Sequence, residues 1–141
     1  MARIAAVDFG MKRIGLAVSD ERSTIALPLK MALAGNSLQQ SARNVMKALA
    51  PYIKEISKLI VGLPLLLNGK RGDMAEQVER FIAALKKETT IPIETMDERL
   101  TSAQAERDLK GCDYSRKERT QIIDSASATL LLQAYLDRLQ K

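Results

Sequence analysis

Hydrophobic positions along this chain follow two rhythms, and the switch between them marks out its elements. Ile4 to Val7 and Ile14 to Val18 are short apolar runs. Gly10 and the polar pair Lys12-Arg13 lie between them, so the runs read as two strands joined by a tight turn. Ile25 to Leu33 reads as a third strand after the polar turn Ser19 to Ser23, and Pro28 places it at a sheet edge. The short links predict an antiparallel meander.

The period then lengthens. Ser37 with Gln40 matches a helix-start box, and Leu38, Ala42, Val45, Leu49 and Tyr52 recur at helical spacing. Pro51 marks the expected end or bend of that helix. Lys58 to Leu63 is a compact apolar strand; following a helix, it is expected to be buried and parallel to the first strand. Pro64 to Gly72 reads as a loop. Asp73 with Glu76 opens a second helix, whose apolar face is Val78, Phe81, Ile82 and Leu85. Thr90 to Met96 reads as the last strand, closed by Asp97-Glu98-Arg99. Thr101 with Gln104 opens a short helix to about Lys110, which Gly111 ends, and Ser115 with Glu118 starts a final helix towards the C-terminus. Lys70-Arg71-Gly72 and Gly111-Cys112-Asp113 are the expected mobile points.

The order β-β-β-α-β-α-β-α-α predicts an α/β, ribonuclease H-like layout: a mixed five-stranded sheet with flanking helices, in one domain spanning residues 1–141. Sites in such sheets form beyond the carboxyl ends of the parallel strands. Asp8, the Pro64 to Arg71 loop and Asp97-Glu98 all fall there.

Composition narrows the chemistry. The chain has no histidine and one cysteine, Cys112. A Ser-His-Asp triad, a Cys-His pair, a histidine or cysteine zinc site and an internal disulfide are therefore excluded. Hydrolysis would have to rest on carboxylates, lysine, hydroxyls or a bound metal, and hard oxygen ligands favour Mg²⁺ or Mn²⁺. The single thiol fits a reducing cytoplasm. No apolar run approaches the ~20 residues of a membrane span, and with a strand at the start no signal peptide is expected. A net charge of +5 suits a polyanionic partner. Aromatic residues are only 4%, so a grip on nucleic acid would act mainly on phosphates rather than by stacking on bases.

Two acids stand out of place. Asp8 closes an apolar strand, where a lone carboxylate is costly unless something positive meets it, and Gly10 lets the backbone pass close by. Asp8 therefore reads as a metal-binding carboxylate. Asp124 lies well inside the last predicted helix, and Ala128, Leu131 and Tyr135 follow on the same row, so it faces inward. Small neighbours, Ser125 to Ala128, would let that helix approach the sheet closely. The bland alternative pairs Asp124 with Arg119 or Lys117 at the rim. Asp97-Glu98-Arg99 is either a solvated turn or a carboxylate from a strand end with Arg99 ready for a phosphate; Glu94 is expected to face solvent. Converging carboxylates need a cation or a retained proton. Two Mg²⁺ ions about 4 Å apart would neutralise them and clamp the attacking and leaving oxygens of a phosphodiester. Lys12, Arg13, Lys70, Arg71 and Arg99 lie in loops at that end and could hold the backbone, simple solvation being the alternative for each.

Four motifs in order resemble a known family: Val7-Asp8-Phe9-Gly10 with Arg13-Ile14-Gly15-Leu16-Ala17; Val61-Gly62-Leu63-Pro64-Leu65 with Asn68-Gly69; Asp97-Glu98-Arg99-Leu100-Thr101; and Ile123-Asp124-Ser125-Ala126 with Leu131 to Leu136. Over nearly the whole chain the sequence resembles the YqgF family of bacterial Holliday-junction resolvase-like proteins, also named "putative pre-16S rRNA nucleases". The resemblance implies a ribonuclease H-like fold, a cytoplasmic role in ribosome biogenesis at the 5′ end of pre-16S rRNA, and Asp8, Glu98 and Asp124 as catalytic, metal-binding acids; an acid from the fifth strand must reach across a neighbouring strand ~4.8 Å away, for which Glu98 has the longer arm and Asp97 is the substitute. Two departures stand out. Related junction resolvases carry an acid near the end of the fourth strand, where this chain has Leu63-Pro64, and a second acid one turn past the helix Asp, where it has Ser127.

The leading expectation is a metal-dependent endonuclease on structured RNA, with branched DNA as the nearest alternative. A junction resolvase would be a two-fold dimer, whereas a monomer favours RNA processing. A non-catalytic RNA-binding assembly factor on the same fold is a second class. The Asp8-Phe9-Gly10 turn also resembles the phosphate turn of actin-like and sugar-kinase ATPases, which use two such domains.

Overall fold

The computed structural model describes residues 2–66, 68–101, 107 and 109–140. Its elements are β1 (Arg3–Asp8), β2 (Arg13–Ser19), β3 (Ala26–Leu33), α1 (Leu38–Leu49), β4 (Ile56–Leu63), α2 (Asp73–Glu88), β5 (Ile93–Asp97), α3 (Arg116–Asp124) and α4 (Ala126–Leu139). The strands form one sheet in the order β3-β2-β1-β4-β5. β1, β2 and β3 pair antiparallel, β4 runs parallel to β1, and β5 parallel to β4. This is the expected meander with two parallel additions, and Pro28 lies in an edge strand. The helix expected from Thr101 to about Lys110 falls largely on residues 102–106 and 108, outside the described residues; Gly111 N–H donates to the Arg107 carbonyl (2.9 Å) at its expected end.

Alternation along the strands splits the core into two layers. Val7, Ile14, Leu16, Leu59 and Val61 pack with Val45 and Leu49 of α1 and Val78, Phe81 and Leu85 of α2. Ile4, Ala6, Ala17, Ile60 and Met96 face the other way, against Ala128, Leu131, Leu132 and Leu136 of α4. The second layer is lined by small residues on the sheet side, so α4 lies close. At the start of β3 its buried Gln133 accepts a hydrogen bond from Ala26 N–H (2.9 Å), and Tyr114 Oη donates to the Ala26 carbonyl (2.9 Å). No helix among the described residues is long and apolar enough to cross a membrane.

Helix ends refine the sequence reading. Ser37 caps α1 by accepting the Gln40 N–H (3.1 Å), but the Gln40 amide turns to Asn44 (3.0 Å) rather than back to the cap. Pro51 falls in a 3₁₀ turn, Ala50–Tyr52, directly after α1. Gly72, not Asp73, occupies the cap position of α2, and its Asp73 is the first helical residue. At α3 the full reciprocal box of Ser115 and Glu118 is present.

The expected continuous final helix is broken. At Ser125 the backbone leaves helical geometry (φ −128°, ψ 33°), separating α3 from α4. The cause lies in the sheet. The β2–β3 register shifts between Ile14 and Leu16, which interrupts the ladder. The Ser125 hydroxyl fills that gap, accepting the Leu16 N–H (3.1 Å) and donating to the Leu29 carbonyl (2.8 Å). Buried backbone groups left unpaired would be costly, so the hydroxyl completes the ladder and holds the helix junction on the sheet.

Candidate active site

Asp8 is the last residue of β1 and lies opposite Gly15 of β2. By alternation it shares the face of Ala6, under α4. A Cβ at Gly15 would stand 3.7 Å from the Asp8 Cβ, 3.6 Å from the Ser125 Cα and 3.4 Å from the Ala128 Cβ. The helix junction therefore sits directly beside Asp8, through the space a larger residue at position 15 would fill. Asp124, immediately before that junction, ends α3. Its side chain lies outside the described residues, and with it both the inward reading and the rim pairing with Arg119 or Lys117.

Glu98 starts the 3₁₀ turn Glu98–Leu100 after β5, two strands away from Asp8, with β4 in between. Gly62 of β4 makes the crossing possible. A Cβ there would lie 2.7 Å from Glu98 Oε1 and 3.0 Å from its Cγ. With no side chain in the way, the half-buried Glu98 passes over β4 and hydrogen-bonds Asp8. Its pKa is pushed up to about 8, first by burial, then by the hydrogen bond to Asp8 and the negative charges of Asp8 and Asp97. Without a cation, Glu98 keeps its proton near neutrality and donates it to Asp8.

Asp97 does something different. It pairs with Leu63 of β4 and accepts hydrogen bonds from three groups of its neighbour Arg99: the backbone N–H (2.9 Å), Nε (3.1 and 2.9 Å to the two carboxylate oxygens) and Nη2 (2.7 Å). The Arg99 guanidinium holds the Asp97 carboxyl below its ordinary pKa. Asp97 thus caps the turn that presents Glu98, and Glu98 is the acid brought to Asp8. Glu94 is exposed as expected, yet paired with Lys58 (3.0 Å) and Tyr135 (3.2 Å).

The basic candidates divide. Lys12 and Arg13 are exposed in and after the β1–β2 turn, and Lys70 is exposed in the 64–72 loop. None of these three makes an ion pair among the described residues. Arg71 is bound to Glu79 (2.6 Å) and Arg99 to Asp97. The loop folds on itself, with Leu66 N–H donating to the Lys70 carbonyl (2.9 Å) and a left-handed Gly69 (φ 82°) at its tip. A Cβ at Gly69 would lie 3.8 Å from Arg99 Nη2, so the loop tip and Arg99 adjoin. Gly10 is required by the turn itself: a Cβ there would collide with the Arg13 carbonyl.

Beside Glu98 opens a cavity of about 190 Å³ lined also by Thr101, Ser127, Leu130 and Leu131. Ser127 thus shares a wall with Glu98. Among the described residues no three His, Cys, Asp or Glu side chains gather as a metal site; Asp8 and Glu98 are a pair. Sequence reasoning missed Gly62 and the splice made by Ser125. The first had a signal, since glycine inside an apolar strand marks close approach of another group; the second had none without the β2–β3 bulge.

Sheet order, two apposed acids at the carboxyl ends of the central strands and a helix junction above them define a ribonuclease H-like α/β protein. The whole fold matches T. thermophilus RuvC, solved in complex with a Holliday junction substrate, at a TM-score of 0.57 and 15% identity over 99% of this chain and 96% of that one. The chain belongs to the RuvX family, described as Holliday junction resolvase, whose model matches residues 2–138. Among its relatives, a protein of Natranaerobius thermophilus named "Putative pre-16S rRNA nuclease" is 47% identical over 96% of this chain and 94% of its own length. One of the same name from Protochlamydia amoebophila is 41% identical, over 96% of this chain and 93% of its own. A polyphosphate/ATP-glucomannokinase from Arthrobacter shares the fold (TM-score 0.51, 15% identity), but only over 51% of its length.

Proposed function

We propose that this chain is an endonuclease acting on structured nucleic acid, foremost at the 5′ end of pre-16S rRNA in ribosome biogenesis. It works as one domain of residues 1–141 in the cytoplasm, using Mg²⁺ or Mn²⁺ held by Asp8, Glu98 and Asp124. One observation carries this reading: Glu98 crosses β4 over the bare Gly62 to meet Asp8, where burial first and then Asp8 push its pKa up to about 8. Two apposed carboxyl groups are a hard-oxygen donor set whose mutual repulsion a divalent cation relieves, so the residues fit the ion. When bound, the ion supplies an activated water and neutralises charge on the phosphodiester. Asp8 is fixed by its strand, Glu98 by the turn that Asp97 caps, and Asp124 by the junction seated on the sheet at Ser125. To hold a cation, Glu98 would have to release its proton to solvent and bind as the carboxylate. Lys12, Arg13 and Lys70 hold substrate phosphates, with Arg71 and Arg99 contributing as they exchange Glu79 and Asp97 for the backbone.

The family's description favours branched DNA as a second substrate. Two symmetric cuts would then call for a homodimer. Labelled precursor RNA and a four-way junction, each incubated with Mg²⁺, Mn²⁺ or chelator, test both readings. The expected result is RNA cleavage with either metal, none with chelator, and none for Asp8→Asn. Full ribosome-assembly function retained by Asp8→Asn would establish a non-catalytic factor instead.

A further inference from the structure

On the α1–α2 side of the sheet, a cavity of about 250 Å³ opens one residue past Asp8. We propose that it is a pocket for a single unpaired nucleobase of the substrate; this rests on the nucleic-acid reading above and adds a recognition site to it. Phe9, Met11 and Leu38 give it an apolar lining. Phe9 is anchored by stacking on Phe81 (centroids 4.6 Å apart), whereas Met11 is 62% exposed, a large apolar side chain left in solvent at the mouth. Asn36 and Gln77 border the same cavity, and neither amide has a hydrogen-bond partner among the described residues. An amide presents a donor and an acceptor side by side, the pattern of a base edge.

No charged side chain lines the cavity, which disfavours a phosphate or a sugar acid inside it. The charges stand outside: Lys12 and Arg13 continue the chain directly from Met11 and are exposed. A base in the cavity would place its flanking phosphates against those two cations. Scarcity of aromatic residues argues against a stacking platform, and this pocket does not need one: it offers an apolar slot, a polarisable thioether and two amides. Enzymes that act on an extruded base hold it against aromatic or apolar side chains and read its edge through hydrogen bonds, the two kinds of group this lining supplies.

The test uses the full chain in chelator, so that it reads binding and not cleavage. Side-chain amide signals of Asn36 and Gln77 are followed by NMR during titration with the four ribonucleoside 5′-monophosphates, their deoxy counterparts, and ribose 5-phosphate. The expected result is that one or more nucleotides in both sugar series shift both amides while ribose 5-phosphate leaves them unmoved. Asn36→Ala and Gln77→Ala should each weaken that binding about fivefold, the loss of one hydrogen bond. Equal shifts with ribose 5-phosphate, or no shift with any nucleotide, would overturn the proposal. Loss of nuclease activity elsewhere would leave this readout intact, so failure of the pocket and failure of the nuclease reading are separable.

Discussion

At Glu98 a single proton links stability to metal binding. In the unfolded chain this carboxyl titrates near 4.5, and in the fold it holds its proton to about 8. The unfolded chain therefore loses the proton first as pH rises. Stability is undiminished below about 4.5 and declines through the window up to about 8. Glu98→Gln removes the penalty while keeping a donor for Asp8, so its metal-free denaturation midpoint should exceed the wild type's above pH 8, with the gap closing towards acid. Parallel midpoint curves for the two proteins would contradict this. Asp8 was legible as an acid ending an apolar strand. The choice between Asp97 and Glu98 was not, because it depends on where β5 stops alternating and the 3₁₀ turn begins, and a charged run carries no period to mark that point.

Two elements meet at the site through what they lack or insert. β4 lacks a side chain at Gly62, and Gly62→Ala places a methyl group 2.7 Å from Glu98 Oε1 and 3.1 Å from Leu131 Cδ2. The strand backbone accepts alanine, so the protein should fold, while Mn²⁺ affinity measured calorimetrically should fall by roughly tenfold, as for lost support of a ligand. Unchanged affinity would show that Glu98 does not need that path. The α3–α4 junction inserts a hydroxyl. Ser125→Ala leaves the Leu16 N–H and the Leu29 carbonyl without that partner, and should cost about 1–3 kcal/mol in urea denaturation. Strands and most helix starts could be read from local patterns, since apolar runs and capping residues act over a few positions. The helix break at Ser125 and the gap at Gly62 act between segments far apart in sequence, and no local pattern encodes them.

Across the whole molecule, the fold brings the end of β1, the turn after β5 and the α3–α4 junction to one end of the sheet. Three acids remote in sequence share that end: Asp8 and Glu98 in contact, and Asp124 on the residue before a junction seated beside Asp8. The element order predicts the sheet that sets these ends side by side, because β-β-β-α-β-α-β leaves few right-handed ways to add two parallel strands to a meander. The positive charge and exposed Lys12, Arg13 and Lys70 suit a polyanion at the same end. The most direct measurement of the central claim is a Mn²⁺ titration of the full chain and of Asp8→Asn, Glu98→Gln and Asp124→Asn at one pH above 8. The account predicts that every substitution weakens binding by tenfold or more, consistent with ligands of one site. Wild-type affinity in the Asp124→Asn protein would contradict it.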